Sequence, residues 1–329
     1  YYVLVPKKFT EKALNLLLEL VLSPAIRTEE FNIERQVVLE EIAQYKDVPD
    51  DQIIQTLLEE CWRPHSYSRP ILGIEKNLKL SSTEKMRIFH NRLYRNKNFC
   101  LSIAGEIPEN IEDLVETSKL NKIKTNENIT TMDIDNERIK FNIGRKEIKI
   151  QRLESERLLM AWPMPPANDM KAVMGFDIAT TILCEGRMSR LCKRLKEELK
   201  IVECVDMDIT SLEKGGLVIL EAYCMKGQLG KVEKEIHKIL NSTLEKDINK
   251  NEFKRANKLV SNSFIFGMET SYQIAGIAGS NFLWGREEQL LEPLKLIDYW
   301  NEDSLVKSIF TLLQPELSYT LIAKSDKDF

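Results

Sequence analysis

Histidine is scarce in these 329 residues: His65, His90 and His237 are the only three, and no two lie near each other. The chain therefore offers no histidine pair at helical spacing, the usual way to hold a catalytic zinc ion. No run of 18 apolar residues occurs, which excludes a membrane-spanning helix. No basic cluster with interleaved aromatics is present and the net charge is −4, so nothing points to nucleic acid. The six cysteines include no C-x-x-C pair, and most sit among apolar neighbours, as Cys100 does in FCLSIAG. They read as reduced, buried thiols of the cytoplasm or an organelle matrix rather than a disulfide framework. No short-period repeat is visible. What remains is ordinary for a globular protein, 43% hydrophobic and 30% charged. The length suits two domains.

The most informative segment is Phe31 to Glu41, FNIERQVVLEE. Glu34 and Glu41 are seven residues apart in an uninterrupted helical pattern, which returns them to within about 20° of one face. Val37, Val38 and Ile42 offer an apolar side on which such a helix would be buried. Two carboxylates on the inner part of a helix are costly unless a cation meets them, and zinc is the obvious candidate. From spacing alone a solvated acidic helix is the plain alternative. Glu40 is the nearest rival position, but it lies well off the face that Glu34 defines.

Four separated stretches carry a resemblance: FNIERQVVLEEI, HSYSRPILG (His65 to Gly73), FHNRLYRNKNFCLSIAGEI (Phe89 to Ile107) and MSRLCKRLKEE (Met188 to Glu198). Recurring in this order, they resemble the insulinase, pitrilysin and mitochondrial processing peptidase superfamily, the inverzincins, whose signature is H-x-x-E-H on a helix. The resemblance covers essentially the whole chain. It implies zinc held by two histidines and a glutamate, with one position left for water and the motif glutamate as base. It also implies that Glu41 stands at the third zinc-ligand position, roughly seventy residues after the motif, and that Glu34 supports a ligating histidine. Counting back places the motif before residue 1. The chain thus reads as a piece that starts mid-domain, with an incomplete zinc site, no catalytic base of its own, and no zinc expected on it alone.

The family's second functional pair is an arginine and a tyrosine seven residues apart, which bind substrate and stabilise the oxyanion. Aligning on Ser189-Arg190-Leu191 puts Lys196 and Glu203 at those positions. Lysine still donates hydrogen bonds, whereas ionised glutamate only accepts them and repels a developing oxyanion. His65 reads as structural, and His90 and His237 as ordinary partly exposed residues.

Periodicity predicts a strand end at Tyr1–Pro6 and a helix opened by a Thr10 cap with an apolar stripe Ala13, Leu14, Leu17, Leu18 and Val21. Helices follow through Glu34/Glu41, over Gln52–Trp62, and from Ser81-Ser82-Thr83-Glu84 to about Arg95. Asn98–Gly105 reads as a buried strand. The linker is placed at 126–137, dividing a remainder of a first peptidase domain (1–125) from a homologous second domain (138–329). In the second, strands are expected around Phe141–Ile150, Arg157–Trp162, Val202–Ile209, Gly216–Tyr223 and Leu317–Ala323. Helices are expected over Ala172–Cys184, Ser189–Leu199, Leu229–Leu244 and Lys250–Phe266. Ile274 to Leu283 reads as core in preference to interface. The fold class is α+β: two homologous α/β sandwich domains, mostly antiparallel sheet with helices on one face, the first incomplete.

The family resemblance further implies a chamber made of two halves in which peptide binds as an added strand, hence a homodimer or heterodimer. The leading reading is part of a zinc endopeptidase acting on peptides or unstructured segments. A non-catalytic peptide-binding or scaffolding subunit is the second, favoured by Lys196 and Glu203. A structural subunit of a respiratory complex is the third.

Overall fold

The computed structural model describes residues 1–94, 99–121, 139–245, 248–286 and 289–326. Along the chain run α1 (Thr10–Leu22), α2 (Thr28–Asp47), α3 (Pro49–Trp62), α4 (Glu75–Lys79), α5 (Thr83–Leu93) and α6 (Ile111–Thr117). Then come β1 (Gly144–Ile150), β2 (Glu156–Met164), α7 (Met170–Cys184), β3 (Val202–Thr210) and β4 (Gly216–Cys224). They are followed by α8 (Leu229–Glu245), α9 (Lys250–Phe266), α10 (Ser271–Leu283), α11 (Glu292–Ile297), α12 (Glu302–Ser308) and β5 (Tyr319–Ser325). The chain is of mixed α/β class.

Two compact units interleave along it. The first takes Tyr1–Gln44, Ile71–Asn136 and Gly267–Glu287; the second takes Tyr45–Pro70, Glu137–Phe266 and Glu288–Phe329. Thus α3 follows α2 in sequence yet belongs to the second unit. The linker expected at 126–137 lies outside the described residues.

The second unit is built on a five-stranded sheet of order β1-β5-β2-β4-β3. β1 pairs with β5 in parallel, and the other pairings are antiparallel. β2 lies centrally and reads ERLLMAWPM because both of its faces are covered. On one face α7, α8 and α9 close a large core around Trp162, Phe176, Ile178, Leu220 and Ile236. Eleven of the fifteen residues of α7 are buried, so it is apolar all round rather than striped. Asp169 caps it, its Oδ1 accepting from the Ala172 N–H at 3.0 Å. On the opposite face α3 presents Ile53, Leu57, Cys61 and Trp62 to Leu159, Leu321 and Ala323. The i, i+4, i+8 spacing of Ile53, Leu57 and Cys61 is the stripe that docks it, and each fully buried large side chain contributes about 1.5–3 kcal/mol. The sheet therefore carries helices on both faces, one more than the expected one-sided arrangement.

The described residues of the first unit form helices joined by irregular segments, with no strand among them. Leu14, Leu18 and Ile42 are its fully buried apolar side chains among the described residues, while Leu16, Leu20, Ile33, Ile71, Ile88, Phe89 and Phe282 stand exposed. Thr10 is the first helical residue, not the cap; its Oγ1 donates to Lys7 O at 2.7 Å. Ser82 does cap α5, accepting from the Lys85 N–H at 3.3 Å. Two expected strands are corrected: residues 1–6 and 99–105 are not strands. Both are apolar, but a strand exists only where a neighbour pairs its backbone, and the described part of this unit supplies none. The expected core at Ile274–Leu283 is corrected likewise, since α10 buries no residue fully.

Candidate functional site

Helix α2 places Glu34 and Glu41 on one face, as their spacing requires. Its inward side is set by buried Ile42 with half-buried Phe31, Val38 and Leu39. Arg35 anchors that side, its Nη1 donating to Ser81 O at 3.0 Å. Both glutamates lie outside this packed sector and are exposed. Beside them stand Ile33, 64% exposed, and Val37, 43% exposed. At 3.6 residues per turn, Ile33, Val37, Glu41 and Glu34 fall within about 100° of the helix circumference. Val37 is thus on the carboxylate face, not on the buried side where the sequence placed it.

The described residues do not fit a zinc ion. Among them no three His, Cys, Asp or Glu side chains come together as a possible metal-binding group. His65 is buried in the second unit, where its Nδ1 accepts from the Tyr67 N–H at 3.2 Å and its ring meets the Tyr67 ring edge-on at 4.6 Å. His90 contacts Val21 O through Nε2 at 2.7 Å and stacks on Tyr94. His237 lies 4.0 Å from Glu233. Each serves its own local packing.

Lys196 and Glu203 occupy a distinctive stretch of the second unit. Cys192–Glu198 is a π-helical turn where an ordinary helix was expected, and exposed Lys196 rides on it. Lys200, just beyond, adopts a left-handed φ of 52°. Glu203 falls at the irregularity in β3 between Val202 and Cys204, so it is the extra residue of a bulge. Its Oε1 accepts from Ser155 Oγ at 2.8 Å. The Ser155 carbonyl in turn accepts from Arg157 Nη1 at 2.5 Å. Arg157, 7% exposed, lays its guanidinium over the Tyr223 ring at 3.6 Å and reaches Asp50 of α3 at 3.4 Å. This chain of contacts went unnoticed in the sequence, because it joins positions from three strands and a helix through cross-strand register. Alternation in β3 and β4 was its one available signal.

Residues 82–260 match the family described as Peptidase M16 inactive domain, and residues 1–75 match Insulinase (Peptidase family M16). The chain belongs to the peptidase M16 family. It is 22% identical to an uncharacterized zinc protease of Rickettsia felis over 99% of its own length and 78% of that protein. Among solved structures, a protease from Helicobacter pylori superposes with a TM-score of 0.83 at 18% identity, covering 97% of this chain and 78% of the other. The peptidase M16 inactive domain from Pseudomonas fluorescens gives 0.80 at 13% identity, covering 96% and 76%. At these identities the structural likeness speaks to the M16 fold alone.

No helix among the described residues is long and apolar enough to cross a membrane. The six cysteines are free thiols; Cys61, Cys184 and Cys224 are buried and Cys204 is exposed. Burial pushes the Cys224 thiol up to about 12, which leaves it unreactive.

Proposed function

We propose that this chain is part of an M16 zinc endopeptidase acting on peptides or unstructured segments within a two-half chamber, as a homodimer or heterodimer. One observation carries the reading. Glu34 and Glu41 share a face of α2 with uncovered Ile33 and Val37, inside the residues that match the insulinase family. In this reading that face of α2 is covered by another part of the assembly and its carboxylates are held for a cation. In this reading Glu41 is a zinc-ligand position and Glu34 its support, while two histidines and a base come from outside the described residues. The division into a first domain to 125 and a second from 138 belongs to the same reading.

A second reading, a non-catalytic peptide-binding or scaffolding subunit, is favoured by one specific contact. Glu203, which the resemblance aligns with the family's tyrosine, is a carboxylate that accepts from Ser155 and has no hydroxyl to donate to a ligand. Intact mass and N-terminal peptides of the native polypeptide separate the two. An H-x-x-E-H roughly seventy residues before Glu41 supports the peptidase. A native protein with a broken motif there, or none, refutes it and leaves the scaffold reading.

A further inference from the structure

The second unit gathers carboxylates on the sheet face that α3 covers. β3 and β4 pair with Asp206 directly opposite Glu221, and Cys204 opposite Tyr223. β2 and β4 pair with Arg157 opposite Tyr223. Side chains two residues apart on a strand share a face, so Arg157, Tyr223, Glu221, Asp206 and Asp208 all look to the same side. Like charges directly opposite across an antiparallel pair repel. Into this field the first turn of α3 brings Asp50, which meets the Arg157 guanidinium at 3.4 Å.

We propose that the Arg157–Asp50 contact, set beside Glu221, Asp206 and Asp208, is a proton-sensitive latch holding the first turn of α3 on the sheet. The groups that face Glu221 are Asp50 from α3, Arg157 from β2, Asp206 and Asp208 from β3, and Tyr223 from its own strand. Arg157 attracts Asp50, whereas Glu221 repels it. Deeper in α3 the apolar contacts of Ile53, Leu57 and Cys61 hold independently, so the latch governs only the helix start. Val48 is the single residue between α2 and α3, so this start is also the next element along the chain from Glu41.

The direction follows from the carboxyls. Burial first, then the Asp50 charge, raises Glu221 above the usual carboxylate range. Partial desolvation beside β4 and the Asp206 charge raise Asp208 as well, although its side chain keeps contact with solvent. Asp50 is itself among the causes that raise Glu221, so a proton on Glu221 favours the latched state as pH falls. Repulsion on Asp50 then drops, and the latch tightens.

The test is amide hydrogen exchange of the 329-residue chain, read on the Gln52 N–H, which donates to Val48 O at 3.2 Å. After correction for intrinsic rates, protection is expected to rise as pH falls from 7.5 towards the ordinary carboxylate range, by at most about fivefold, the scale of one removed surface charge. Glu221→Gln should lose most of that response, and the exposed Asp208→Asn part of it. Arg157→Lys should speed exchange at pH 7.5. A wild-type chain with no pH response, or a Glu221→Gln chain that keeps the full one, overturns the latch. Asp208→Asn decides the matter should Glu221→Gln fail to fold.

Discussion

Asp177 sits in α7 between Phe176 and Ile178, two side chains with no exposed surface. Burial pushes its carboxyl up to about 6 from an ordinary 3.8. The folded state therefore binds a proton that the unfolded chain releases, and stability rises as pH falls through 6 towards 4. The shift of roughly 2 units corresponds to about 3 kcal/mol at pH 7.5, as an upper figure for a carboxyl that keeps some solvent contact. Asp177→Asn removes the charge while keeping the shape. Its advantage over wild type should be 2–3 kcal/mol at pH 7.5, about that range by the same conversion, and should shrink towards zero at pH 4. Urea unfolding of both chains at half-unit pH steps gives the comparison, and other titrating groups cancel in the difference. Glu60 and Glu233 act in a separate window. Hydrogen bonds from Lys146 and Arg145 hold them below the ordinary 4.5, so their contribution is lost only as pH falls beneath that value. A variant that is less stable than wild type at pH 7.5, or a difference that ignores pH, would refute the reasoning.

Two further substitutions probe the backbone and core of the second unit. A Cβ at Gly175 would stand 2.6 Å from Trp300 Cζ2 and 3.0 Å from Ile309 Cγ1, so Gly175→Ala should cost about 1–3 kcal/mol, seen as a lower urea midpoint. An unchanged midpoint would mean that Trp300 moves aside freely. Lys200 pays for a left-handed φ of 52°, and Lys200→Gly should raise stability by about 0.5–1 kcal/mol despite glycine's extra freedom when unfolded. A drop in stability would show that the lysine side chain contributes more than the strain.

The sequence was most legible where local pattern and burial agree. Lys250–Phe266 forms a helix over the bounds that periodicity marks, and β2 covers the expected Arg157–Trp162 and extends to Met164. Fold class and family were readable because four separated motifs keep their order. The failures have a common cause. Residues 1–6 and 99–105 have strand-like composition, yet strand formation depends on a partner that composition cannot supply. The same limit hid the parallel pairing of β1 with β5, whose registered residues Gly144 and Tyr319 lie far apart in the chain. α3 was found as a helix, but its place on the sheet of the second unit depends on contacts with Leu159 and Leu321. At the candidate site, the spacing of Glu34 and Glu41 was legible; the exposure of Val37 beside them was not, since it depends on what covers α2. Glu203 was identified as a departure, but its bond to Ser155 needs the β3 bulge to exist first.

The central claim is that Glu41 marks a zinc-ligand position whose histidine ligands are not this chain's own His65, His90 or His237. The most direct measurement is calorimetric zinc titration of the purified 329-residue chain beside its Glu41→Gln variant, with metal content measured after dialysis. The account expects neither chain to retain a stoichiometric equivalent of zinc. One tightly held equivalent in the wild type, lost in Glu41→Gln, would contradict it, because this chain would then complete the site by itself.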